Sequence, residues 1–202
     1  VASIVNTTTS AGGADVEADD DYRERIHEAP ERFSTAGPTG AYEYWAKTAN
    51  SGIIDVAISS PSAGTVEIRP LLEGGKLPEQ ELLDTVKSIV SADKVRPLTD
   101  NVTVLAPEAV AYDINLTYYV DAGTSEATVK AAVTSAIDTY RLWQKSKIGR
   151  DINPSRLIAD IMAVPGVKRV NVTSPTFKEV TATQVAQENS TISAVLGGSE
   201  DE

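Results

Sequence analysis

After a turn at Arg96-Pro-Leu-Thr-Asp, the chain alternates between apolar and polar positions from Val102 to Val120, with one interruption. Val102, Val104 and Ala106 share a side until Pro107, which has no N–H to give to a ladder. Val110, Tyr112, Ile114, Leu116, Tyr118 and Val120 then share one face, and Ala111, Asp113, Asn115, Thr117, Tyr119 and Asp121 the other. Period two with β-branched and aromatic residues predicts a half-buried strand. Two strands therefore meet at a proline joint, which is expected to be the seam between two small α/β lobes.

The same reading places the remaining elements. Ala2 to Val5 is a strand candidate, followed by a polar, Gly-containing connector over 6–14. Tyr22, Ile26, Ala29 and Phe33 recur at helical spacing, and Asp19-Asp20-Asp21 suits the positive end of that helix better than a metal site. Glycine and proline in 34–40 stop it, and Tyr42, Trp45, Ala46 and Ala49 make a second stripe. Strands are expected over 53–58 and 65–72, and a helix with Pro78 in its first turn carries Leu82, Leu83, Val86, Ile89 and Val90. The first lobe thus reads β-β-α-β over 53–107. Beyond the joint, Val129, Val133, Ala136, Ile137, Tyr140 and Trp143 trace a long helix behind a cap candidate at Ser125. Residues 148–151 suit a short extended piece. Asn153-Pro154 opens a short helix carrying Leu157, Ile158, Ile161 and Met162. A strand over 167–172 completes β-α-α-β within 108–187, with room for a further strand near 180–185. The polar end, 188–202, is expected to be a flexible acidic tail. The class is α+β: N-terminal helices over 1–52, then two lobes.

Composition narrows the function. Hydrophobic residues at 41% and charged residues at 23% are ordinary for a globular chain, while aromatics at 5% leave the cores to Val, Ile, Leu and Ala. Eighteen basic against 29 acidic residues give −11, which disfavours nucleic acid and anionic membrane surfaces as partners. There is no cysteine, so disulfides and thiolate chemistry are excluded. No apolar run is long enough to span a bilayer as a helix.

Little in the sequence suggests chemistry. The lone histidine, His27, sits inside a helical pattern, and Asp113 and Asp121 lie on a strand's polar face. Gly74-Gly75 lacks the lysine and hydroxyl that a phosphate loop needs. Zinc spacings, a nucleophile elbow and a dinucleotide fingerprint are absent. No catalytic, cofactor-binding or metal-ligating residue is expected. An assembly or interaction protein is the first reading. A small-molecule-binding regulatory α/β module is the alternative, and an enzyme with a dispersed acid pair the third.

Three stretches carry a resemblance. They are Gly37 to Ala46 with its A-Y-x-x-W-A, the Arg96-Pro-Leu-Thr-Asp turn with V-x-V-x-A-P and V-x-Y-x-I, and 152–172 (INPSRLIADIMAVPGVKRVNV). In this order they resemble the baseplate J-like family of contractile phage tails and related injection particles. The resemblance implies a structural, non-enzymatic wedge subunit in a multimeric ring. Its partners would be a second wedge subunit, the tail hub, and the sheath and fibre network. It would sit in a virion tail or phage-tail-like particle assembled in the host bacterial cytoplasm, without cofactor, nucleic acid or membrane insertion. The chain starts at Val1, which suggests that an N-terminal domain precedes it. Tyr22, Ile26, Phe33, Tyr42 and Trp45 are the candidate partner contacts; their helices either pack on the lobes, as the buried face that such a stripe usually is, or stand outside both as an arm, which the resemblance to wedge subunits joined through helices favours. Trp45→Ala is accordingly expected to weaken association more than stability.

Overall fold

The computed structural model describes residues 19–30, 39–93 and 95–201. Two helices, α1 (Asp19–Glu28) and α2 (Thr39–Thr48), precede two three-stranded sheets. The first sheet has the order β1-β2-β3 and the second β5-β4-β6. The N-terminal strand candidate and connector lie outside the described residues.

In the first lobe β1 (Ile53–Ser59) and β2 (Thr65–Leu72) form an antiparallel hairpin. The chain then crosses through α3 (Gln80–Val90) and returns as β3 (Asn101–Val104), parallel to β2. A parallel return needs such a crossover, because a tight turn can only reverse the chain. One face of the sheet sends Val56, Ile68, Val102 and Val104 towards Leu83, Val86 and Val90 of α3. Tyr42 and Ala46 of α2 enter the same core. The expected order β-β-α-β is the one found, although the helix begins two residues after Pro78.

The break at the proline joint is real. Chain pairing with β2 ends at Val104, and β4 (Glu108–Asp121) begins a second sheet. Along β4 the buried positions are Val110, Tyr112, Ile114, Leu116, Tyr118 and Val120, the face given by the alternation. They pack under α4 (Glu126–Lys145) and α5 (Pro154–Met162). Val129, Val133, Ile137 and Tyr140 are the buried stripe of α4. Asn153 caps α5 by accepting from the Ser155 N–H at 3.0 Å, with Pro154 in the first turn, where its missing N–H costs nothing. The 148–151 stretch is largely turn, and the extended contact falls one residue later, at an antiparallel bridge between Ile152 and Lys178. β5 (Val167–Ser174) pairs antiparallel with one edge of β4.

The C-terminal stretch departs from the sequence reading. In place of a flexible tail over 188–202 there is β6 (Gln184–Glu200), a 17-residue strand parallel to β4 along the whole of that strand. Ile192, Ala194 and Leu196 face the second core. The polar run Gln187-Glu-Asn-Ser-Thr hid this alternation. β4 is a ladder with an open side, and pairing satisfies backbone groups that side-chain composition does not report.

The two lobes meet at the back of the first sheet. Asp55, Ala57, Arg69 and Leu71 alternate with the core residues of the first sheet and so point the other way. There Leu71 packs with Ile148 and Val185, and the Asp55 carboxylate accepts the Ile148 N–H at 2.8 Å.

Candidate interaction surfaces

The five candidate contact residues do not stand together. Tyr22 and Ile26, one turn apart on α1, are half exposed at 50% and 53%. Arg25 stacks over the Tyr22 ring at 5.2 Å, and Arg23 pairs with Asp20 at 2.6 Å. This is an apolar pair in a charged helix. His27, on the same helix, is exposed. Phe33 lies outside the described residues.

Tyr42 is only 2% exposed and belongs to the first core, so α2 is part of the first lobe and not of an arm. The stripe Tyr42/Ala46 found a hydrophobic face of the sheet to cover, which removes more apolar surface from water than standing clear would. The Tyr42 hydroxyl donates to Asp100 Oδ2 at 2.8 Å. Burial, then that bond and the Asp100 charge, raise its pKa well above the ordinary phenol value. Trp45 is half-buried against the same core and meets Tyr44 edge-on at 5.4 Å.

The Arg96-Pro-Leu-Thr-Asp turn is explained by this contact. Arg96 donates to the Ser91 carbonyl just past α3 and to the Asp100 carbonyl at 2.7 Å, so it braces the turn from both ends. Asp100 then receives Tyr42. Two stretches that carried the family resemblance therefore touch through one hydrogen bond, which ties α2 to the turn before β3.

Sequence reasoning missed an ionic cluster on the second lobe. Glu188 on β6 accepts from Lys145 Nζ at 2.8 Å and from Arg141 Nη2 at 2.9 Å. Its side chain is 7% exposed. Burial alone would push the carboxyl up, but the Lys145 bond, a backbone N–H bond and the charges of Lys145 and Arg141 outweigh it, and the pKa is lowered. No signal in a stretch read as tail could have paired this residue with α4. A folded-state pKa below the unfolded one stabilises the protein fully above the ordinary value of 4.5 and loses that contribution as pH falls through the folded value. The wild-type Tm should therefore drop more between pH 7 and pH 3 than that of Glu188→Gln, with the difference confined to the acid limb of a Tm-against-pH profile.

Gln144 was also missed. It sits in the apolar stripe of α4, fully buried, and its Nε2 donates to the carbonyls of Arg150 and Asp151 at 3.1 and 3.0 Å. Trp143 beside it is stacked by Arg150 at 4.3 Å and Arg156 at 5.3 Å. These contacts hold the turn after α4. Asp113 accepts from Asn189 at 2.6 Å, and Asp121 faces Lys168 at 3.8 Å. Among the described residues no group of three or more His, Cys, Asp or Glu could hold a metal ion. None of the described helices is long and apolar enough to cross a membrane. A shallow groove between α4 and β6 is lined by Tyr118, Glu126, Lys130, Ala194 and Leu196.

The arrangement of two lobes matches known proteins. The baseplate J-like central domain matches residues 34–106, and the baseplate J-like protein C-terminal domain matches 112–193. The chain belongs to the baseplate J-like family. The central-domain match takes in α2, in keeping with its place in the first core. Baseplate protein J of Escherichia phage P2 is 34% identical over 187 residues, which is 92% of this chain and 61% of that protein. The chain thus spans less than two thirds of this relative's length. A chain in the cryo-EM structure of the anti-feeding prophage baseplate, 6-fold symmetrised, has the same fold at a TM-score of 0.58. It shares 17% identity, over 89% of this chain and 43% of the other.

Proposed function

We propose that this baseplate J-like chain is a structural wedge subunit of a contractile tail or phage-tail-like particle, assembled in the host bacterial cytoplasm. It links the central hub to the sheath and fibre network by contacts with a second wedge subunit and its neighbours, and it catalyses nothing. The observation that carries this reading is the presence of both family domains as two complete cores joined at one proline linker, in a chain similar to a named baseplate protein. Its side chains are spent on fixing elements to one another. Arg96, Asp100, Gln144 and Asn153 each tie a turn or a helix end.

Within this role α1 is the contact arm, because Tyr22 and Ile26 leave an apolar pair in solvent that a partner surface would cover. Tyr22→Glu with Ile26→Glu should leave the purified chain close to wild type in stability, within about 0.5 kcal/mol per exposed position. Co-purification with the neighbouring baseplate proteins should fall sharply. Wild-type co-purification by the double variant would remove α1 from the interface. The ligand-binding alternative would place a small molecule between the lobes, where Leu71 and Val185 are fully buried against each other's surroundings. A metabolite screen that raised Tm by mass action would favour it.

A further inference from the structure

The two lobes are joined by little. The linker 105–107 is held by the Leu105 N–H to the Ile68 carbonyl at 3.0 Å and by the Glu108 N–H to the Thr183 carbonyl at 3.0 Å. Arg69, paired with Glu67, donates to the Ala106 carbonyl. The apolar part of the seam has three buried side chains, Leu71, Ile148 and Val185, while each lobe has a separate and larger core. A small seam between two complete cores leaves relative lobe motion as the default.

Beside that apolar seam and the hydrogen bond from the Ile148 N–H to Asp55, one further contact opposes it. The turn Glu73–Gly75 projects from the first lobe onto the end of α4. Gly75 has φ +73, and a Cβ there would lie 2.6 Å from Lys145 Cγ and 2.8 Å from the Lys145 carbonyl oxygen. Only glycine fits, on conformation and on space. The Gly75 carbonyl accepts from Gln187 Nε2 at 2.6 Å. The head group of the Lys145 side chain under the glycine is bound to Glu188, the neighbour of Gln187 on β6. The seat therefore draws on α4 and β6 together, and its polar part is a single hydrogen bond to the first lobe.

We propose that the Gly75 turn is a latch. Seated on Lys145 and Gln187, it fixes the two lobes at one angle; unseated, it lets them swing about 105–107 with both cores intact. The chain is then a two-position element, and a partner that binds near the turn sets its position. This inference does not depend on the wedge assignment, because it concerns the isolated chain.

The absence of native cysteine makes the test clean. Cysteines placed at the exposed Lys87 of α3 and Ser135 of α4 carry spin labels, and the inter-lobe distance is read by pulsed electron resonance on the full chain. The parent should give one narrow distance. Gly75→Val should add a longer, broader population while far-UV circular dichroism stays native. Should Gly75→Val fail to fold, Gln187→Ala decides, since it deletes only the hydrogen bond; it should add the same longer population at a smaller fraction. A parent that is already broad, or a folded variant that keeps the single narrow distance, overturns the latch.

Discussion

A chain ended after Ala186 should lose its second lobe. β6 pairs with β4 along the whole of that strand, from Glu108 to Asp121. The cut keeps only Gln184 to Ala186 of β6, strips the ladder from Ala111 onward, uncovers the core beside Ile114, Leu116 and Tyr118, and deletes Ile192 and Leu196. Full burial of a large side chain is worth about 1.5–3 kcal/mol, and the half-buried Ile192 and Leu196 each forfeit part of that. Arg141 and Lys145 also lose Glu188, which leaves two partly buried cations without their shared anion. Against a net domain stability of about 5–15 kcal/mol, these losses together exceed what the lobe can spare. The truncated chain should be insoluble, or should melt without the cooperative transition of the second lobe in calorimetry. A loose tail would behave differently: trimming it would leave Tm within a few degrees, and that result would contradict the strand.

Tyr42→Ala should cost about 3–5 kcal/mol, the range for deleting a buried aromatic ring. It empties space between α2 and the first sheet and leaves Asp100 without its donor. For a chain of this size roughly 1 kcal/mol corresponds to about 2–4 °C, so the first lobe should melt about 6–20 °C lower. Tyr42→Phe keeps the ring and should cost about 0.5–1.5 kcal/mol. Denaturant melts of the two variants separate packing from the hydrogen bond. Trp45→Ala is expected to lower stability as well, since its ring packs on the same core. Wild-type melting by Tyr42→Ala, with association lost, would return α2 to the arm.

The strands around the proline joint were legible because one face of each is buried, and burial writes period two into the sequence. The helices over Val129 to Trp143 and over Leu157 to Met162 were legible for the same reason at period 3.6. β6 was not. Its inward positions past Ala186 begin with the polar Glu188 and continue with residues that are only half-buried, so burial marks them weakly, and its partner β4 lies far back in sequence. The place of α2 was half legible. Its stripe announced a buried face, but the surface that buries it is made by strands that come later, and a stripe alone does not say which surface that is. The contact candidates divided accordingly, with Tyr42 in the core and Tyr22 and Ile26 in solvent. The Glu188 cluster depended on β6 and was out of reach with it. Arg96 and Asp100 were visible as part of a motif, but their role is structural geometry, which a motif does not state.

The proposed role, a structural part of a contractile particle, has a direct test. The most direct measurement is electron microscopy of particles from cells in which its gene has been deleted and then restored. The structural role predicts that the deletion yields no complete contractile particles, only sheathless or baseplate-less fragments. Wild-type protein supplied from a plasmid should recover complete ones. Particles that assemble and contract normally in the deletion strain would contradict it.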